Sequence, residues 1–330
     1  MPHESSPSLG VQPAASDPVA GIDVSKSTLD GFIDLPAQSF SLGNDDAGIA
    51  ELVKRLSFAR VALVCIEATG RYHRRLAVAL IEAGIPVALV NPQRAREFAR
   101  SIGKLEKSDR IDARTLAIFA RAARHRTMQK PAENQTELND LVSRRRALVQ
   151  LRVAESNRLG EQQPKLACSQ GKKMLRLIEQ QIEDLDRAIA KLIESDGDWN
   201  NKSQIIDSVP GIGASTAHQL IAELPELGQL NRQQIAKLAG VAPLLRESGQ
   251  MRGKRTIGGG RDSVRTILYM GAFNAMRHND RFSAYAQRLF AAGKQFKVVV
   301  TACMRKLLVI LNQMIKTNTT WNESLAFNNP

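Results

Sequence analysis

Apolar positions alternate along the first part of the chain, then run together, then recur at helical spacing, and each change of period marks a change of element. Val19–Ser25, Gly31–Leu35 and Gln38–Leu42 read as short strands separated by turn-prone residues, which predicts a meander. Asp45 and Asp46 stand where a helix would start, ahead of Ile49, Leu52, Val53 and Leu56. Arg60–Glu67 is a continuous apolar strand that ends in a carboxylate. Tyr72–Ala83 predicts a helix stopped by Gly84. Ile85–Val90 is another buried strand closed by Asn91-Pro92, and Ser108–Ala123 is a further helix ahead of Pro131.

The period then stays helical. Thr136–Leu159 predicts one long helix and Pro164 interrupts it. Leu175, Ile178, Ile182, Leu185, Ile189 and Leu192 follow at alternating spacings of three and four, a heptad seam that suits a helical hairpin within the chain or a dimerising coiled coil. Ile205–Leu224 is broken by Val209-Pro210-Gly211-Ile212-Gly213, and Ile235–Leu238 is a short helix. Residues 244–260 read as a polar glycine-rich loop, followed by helices over Arg261–Arg277, Arg281–Ala291 and Phe296–Ile315.

Three antiparallel strands followed by alternating helices and parallel strands predict an α/β domain over residues 19–130, in the strand order of the RNase H-like fold. Actin-like ATPases share that order. Their first phosphate turn needs a glycine, however, and Asp23-Val24-Ser25-Lys26-Ser27 has none. Residues 1–18, rich in proline and serine, read as a disordered tail. Residues 131–200 form a helical connector, and 201–330 an all-α domain.

Lys and Arg total 46 against 33 Asp and Glu, a net charge of +13 that favours a polyanionic partner. The apolar runs are too short for a bilayer span, so no membrane is expected. Cys65, Cys168 and Cys303 are far apart, which argues against a disulfide framework or a cysteine zinc site and for a cytoplasmic chain. The five histidines show no ligand spacing.

Four acids occupy telling places. Asp23 lies among apolar residues in the first strand, where an unpaired carboxylate would be costly. Glu67 ends a parallel strand, where sites open in such sheets. Asp109 and Asp112 are three apart and share a helix face. Carboxylates gathered together repel one another, and a hard divalent cation, magnesium or manganese, removes that repulsion. Two ions about 4 Å apart can clamp the attacking and leaving oxygens of a phosphodiester. Read singly, Asp109 and Asp112 could be helix-start residues, and Glu67 could pair with Arg71 or Arg74.

Ser208–Ala217 reads as a helix-hairpin-helix. Gly211 stops one helix, Gly213 permits the turn, and the amides of the next helix can hold a phosphate. Downstream, Arg246, Arg252, Lys254, Arg255 and Arg261 stand among glycines with one acid, a basic phosphate grip. Ser248 lies within it. From spacing alone it is a weak candidate for a nucleophile, in surroundings that would stabilise an attacking alkoxide.

GlyIleAspValSerLys, CysIleGluAlaThrGlyArgTyr, AspArgIleAspAlaArg, ValProGlyIleGly and SerGlyGlnMetArgGlyLysArg occur in that order. Together they resemble the DEDD transposases of insertion-sequence family 110 and its 1111 subgroup, relatives of Piv-type DNA invertases. The resemblance runs from about Val19 to the last helix. It implies a RuvC-like domain, a coiled-coil connector and a C-terminal transposase domain. It implies a metal-binding tetrad of Asp23, Glu67, Asp109 and Asp112, and Ser248 as a nucleophile forming a phosphoserine link to DNA. It further implies a homo-oligomer, dimer or tetramer, acting on donor and target DNA chosen by a structured non-coding RNA. A junction-resolving nuclease using metal-activated water is the alternative, and a non-catalytic nucleic-acid-binding protein a third reading.

Overall fold

The computed structural model describes residues 11–68, 70–103, 109–128, 130, 132–160, 164–244, 247–248, 251–252 and 256–323, with only the backbone described at 109–111, 133, 247–248 and 251–252. The chain divides into two compact units, Met1–Pro131 and Ala132–Pro330.

The first unit is built on a mixed five-stranded sheet. Its strands are β1 (Val19–Val24), β2 (Thr28–Asp34), β3 (Ala37–Gly43), β4 (Leu63–Glu67) and β5 (Val87–Val90), in the order β3-β2-β1-β4-β5. β1, β2 and β3 pair antiparallel, while β4 runs parallel to β1 and to β5. The alternation of β1 sorts the two faces. Ala20, Ile22 and Val24 pack with Leu52 and Leu56 of α1 (Asp46–Phe58) and with Leu76 and Leu80 of α2 (His73–Glu82). On the other face Val19, Leu63, Cys65, Ala88 and Val90 pack with Ala95 of α3 (Pro92–Ser101) and with Leu116, Phe119 and Ala120 of α4 (Asp109–Ala122).

Helix α3 is absent from the sequence reading, which took Asn91-Pro92 as the end of a strand. The same dipeptide starts a helix here. The Asn91 side chain accepts from the Gln93 amide at 2.8 Å, and Pro92, lacking an N–H, costs nothing at the first turn. Residues 11–18, expected to belong to a disordered tail, lie against α4. Val11 and His125 exchange backbone hydrogen bonds. The Arg121 guanidinium donates to the carbonyls of Ala14, Ala15 and Asp17 and pairs with Asp34, whose other oxygen accepts from the Val19 amide.

The second unit opens with α5 (Glu133–Leu159) and α6 (Lys165–Ser195), packed antiparallel. The heptad seam of α6 faces α5. Leu148 packs with Ile178 and Ile182, and Arg145 pairs with Asp186. A Cβ on Gly171 would meet the Leu159 side chain at 2.7 Å, so glycine lets the two helices approach at the hairpin's far end. At the other end Leu138, Val142, Ile189 and Ile193 enter the main core. That core also gathers α7 (Gly197–Asp207), α8 (Ala214–Glu223), α9 (Arg232–Leu238), α10 (Asp262–His278), α11 (Asp280–Ala291) and α12 (Phe296–Thr317). By length and composition α12 is apolar enough to cross a membrane, although no single apolar run announces it. Residues such as Val299, Val300, Leu307 and Leu311 are fully buried against the neighbouring helices, which accounts for its hydropathy as that of a core helix.

Candidate nucleic-acid-processing site

The first unit brings its acids to one face of the sheet. Gly21 lies so close to α4 that a Cβ would stand 2.1 Å from the Ala113 carbonyl oxygen and 2.4 Å from the Ala117 amide nitrogen. Asp23, two residues on, points to the same face, because strand side chains alternate. Glu67 shares the parity of Leu63 and Cys65 and points there too. Since β1 and β4 are in parallel register through Ile22 and Ile66, Asp23 and Glu67 follow side by side at the strands' carboxyl ends, about 4.8 Å apart across the sheet.

The direction of α4 supplies the next acid. Val19 packs with Leu116, Phe119 and Ala120, while Gly21 meets Ala113 and Ala117, so α4 runs antiparallel to β1. Its first turn, carrying Asp109 and Asp112, therefore lies toward the Asp23 end of the strand. The Asp109 side chain lies outside the described residues. Among the described residues no group of three His, Cys, Asp or Glu side chains is close enough to share an ion. Asp23 and Glu67 offer carboxylate oxygens on this face, the kind of donor that hard divalent cations require.

The register adds an acid the sequence reading did not single out. Asp30 on β2 is the direct antiparallel partner of Asp23, and cross-strand partners share a face. Asp30, Asp23 and Glu67 thus stand in a row across β2, β1 and β4. The Ser25 amide donates to the Thr28 carbonyl, so the turn is residues 26–27 and residues 23 and 30 fall opposite each other, a register that no local sequence pattern states.

In the second unit, the turn between α7 and α8 has the predicted glycines in different roles. Gly211 adopts φ +88°, and a Cβ there would sit 3.0 Å from the Asn274 carbonyl oxygen and 3.1 Å from the Ala275 backbone. It is needed for packing against α10. Gly213 is the N-cap of α8 with no side-chain cap, and it and Ala214 are exposed, so the start of α8 is open to solvent.

The glycine-rich loop is a ribbon. β6 (Pro243–Leu244) pairs antiparallel with β9 (Thr256–Ile257), and further out β7 (Glu247–Ser248) pairs with β8 (Met251–Arg252). Ser248 is paired with Met251. Arg246, Lys254 and Arg255 lie outside the described residues, as do the side chains of Ser248 and Arg252. At the ribbon's root two glycines touch backbone to backbone. Gly240 has φ +71° and Gly260 φ +64°, and a Cβ on Gly260 would lie 2.3 Å from the Gly240 nitrogen. Arg261 follows directly. Its guanidinium grips Glu226 through two hydrogen bonds of 2.6 Å and donates to the Glu223 carbonyl, so here it anchors the root.

The cysteines and histidines stay outside this chemistry. Burial pushes the Cys65 thiol up to about 12 and the Cys303 thiol up to about 11, so neither supplies a thiolate at neutral pH. His125 is buried, its Nε2 2.9 Å from the Phe119 carbonyl oxygen, and burial lowers its pKa.

The DEDD-type model of the IS110 group, described as Transposase, matches residues 20–162, and a model described as Transposase IS116/IS110/IS902 family matches residues 203–287. The chain is 28% identical over 316 residues to the pilin gene-inverting protein of Moraxella bovis, covering 92% of this chain and 98% of that one. The counterpart from Moraxella lacunata gives the same identity and coverage. Against the transposase for insertion sequence element IS1111A of Coxiella burnetii, identity is 26% over 265 residues, covering 69% and 70% of the two chains. The first match covers the acid-bearing sheet and runs on through α5, the second covers α8 to α10 with the serine ribbon between them, and the chain belongs to the IS110 family of transposases.

Proposed function

We propose that this DNA transposase cuts and rejoins DNA through a phosphoserine intermediate, with an RNase H-like first unit that holds a divalent metal. The observation that carries the reading is the placement of Asp23 and Glu67 side by side at parallel strand ends, on the face that α4 covers with Asp112 at its amino end. The sheet order β3-β2-β1-β4-β5, with its antiparallel first half and parallel second half, supports the RNase H-like assignment.

Asp23, Glu67, Asp109 and Asp112 are the residues that would hold magnesium or manganese. The ion would offset charge on the phosphate and its leaving oxygen. Ser248 is the proposed nucleophile. Its hydroxyl gives up a proton as the Oγ–P bond forms and one P–O bond of the DNA strand breaks. The freed DNA hydroxyl of a second strand then displaces serine and restores the phosphodiester. Arg246, Arg252, Lys254 and Arg255 on the ribbon would neutralise the phosphoryl oxygens. Donor and target DNA chosen by a structured non-coding RNA fit the net charge of +13.

The test is a trap for covalent adducts. Protein, magnesium, element-end DNA, target DNA and RNA from the element's flanks are incubated and resolved on a denaturing gel. Wild type gives an adduct, while Ser248→Ala and Asp23→Asn give neither adduct nor recombinant and retain the wild-type circular dichroism spectrum. A recombining Ser248→Ala protein would sink the serine role. Metal-dependent cleavage without an adduct, equal in both proteins, would establish the junction-resolving nuclease, a reading favoured by the fact that the acids all lie in the first unit and need nothing from Ser248.

A further inference from the structure

A groove in the second unit adjoins the root of the serine ribbon but is lined by none of the residues assigned to the site above. It has a volume of about 1570 Å³ and runs along one face of α12, from Lys297 to Thr317, with α9 and the β6–β9 pair as its opposite wall. At the helical rise of about 1.5 Å per residue that face is roughly 30 Å long. Its floor is apolar, with Val298, Val309 and Met314, and its charge is of one sign. Arg232, Lys297, Arg305 and Lys306 line it, and no described lining residue is acidic. Two aromatic rings, Tyr285 and Trp321, also line it, and Trp321 is stacked against Phe282.

We infer that this groove is the track of a single DNA strand that continues from the phosphate attacked by Ser248, an inference that rests on the proposed function. Three features choose this occupant. Cations without acids select a polyanion, and the basic net charge disfavours a second copy of the chain as the partner. An apolar floor with aromatic rings offers stacking to bare base faces, which a single strand presents and a duplex hides. The wall formed by Pro243, Thr256 and Ile257 is the root of the ribbon that carries Ser248, so a strand in the groove leads to the nucleophile's loop.

The experiment uses the full chain without divalent metal, so that only binding is read. Fluorescence anisotropy measures the affinity for an oligothymidine of about ten nucleotides and for a duplex of equal length. In Lys297→Ala/Arg305→Ala, single-strand affinity falls at least tenfold, duplex affinity stays within twofold, and the salt slope becomes shallower by about 1.4, which is roughly 0.7 for each lost phosphate contact. In a separate Trp199→Phe protein, oligothymidine quenches the remaining Trp321 emission. Unchanged single-strand affinity, an equal loss for duplex, or an unresponsive Trp321 would each overturn the inference. The outcome is independent of the adduct trap. An adduct with intact groove binding refutes only the track, and a groove defect without any adduct refutes only the serine mechanism.

Discussion

At the scale of single residues, the first unit depends on a missing side chain. Gly21 lets α4 lie on β1 at backbone contact, and that contact brings the amino end of α4 toward Asp23. Gly21→Ala is expected to cost about 3 kcal/mol or more, since the clash is with main chain that cannot rotate away. Urea titration of the variant checks this, and a loss under 1 kcal/mol would mean the helix rides further out. Asp30 makes a separate prediction. If it shares the field of the metal acids, Asp30→Asn keeps the fold but raises the magnesium concentration for half-maximal adduct formation several-fold, and an unmoved magnesium curve removes Asp30 from the site. Thiol chemistry offers a third check. With pKa values raised to about 12 and about 11, Cys65 and Cys303 remain protonated at pH 8, whereas the third thiol, Cys168, is partly exposed. An aromatic disulfide reagent should therefore titrate one thiol quickly in the native chain and all three in guanidinium. Burial keeps both thiols protonated in the folded chain above the ordinary value of 9.0, so folded-state stability is unaffected below that pH and falls as pH rises toward the folded values, where only the unfolded thiols have ionised.

At the scale of elements, the seam of α6 finds its partner within the chain. Ile182→Ala, at a site 6% exposed and packed on Leu148 and Ile178, should cost about 2–4 kcal/mol. Its unfolding midpoint should not depend on protein concentration, and a concentration-dependent midpoint would return the seam to an intermolecular coil. The strands and long helices were legible from period alone, because each buries one face or stripe and its apolar spacing says so. The placement of Asp23 in β1 and Glu67 at the end of β4 was legible for a related reason, as charge inside or at the end of an apolar pattern, whereas Asp112 was singled out by its spacing from Asp109 on one helix. Helix α3 was not legible, because Asn-Pro serves equally as a strand stop and a helix start, and only the chain beyond it decides. Asp30 escaped because its meaning lies in a hairpin register that no local pattern states. Arg261 was read as a free cation for phosphate. Glu226, 35 residues away in the chain, holds it instead, and such a partner leaves no mark in the neighbouring sequence.

At the scale of the whole molecule, each unit has its own core, a layered sheet in one and a helical cluster in the other. Calorimetry should resolve two transitions, and Gly21→Ala should lower only one of them. A single transition that moves as a whole would show the units to be energetically fused. The neck formed by Gly240 and Gly260 has a consequence of its own. Gly240 and Gly260 close the ribbon at its base, while Val241 is buried in the helical core and Ala242 packs against it, so the outer part of the ribbon is a loop whose ends are already fixed. Lengthening a loop whose ends are already closed costs only about 0.6 kcal/mol per doubling. The ribbon is therefore a cassette. The segment between Leu244 and Thr256 can be exchanged for the matching segment of a relative while buried Val241 and the Gly240–Gly260 contact stay in place, so the serine-bearing ribbon is free to diversify while its scaffold stays the same.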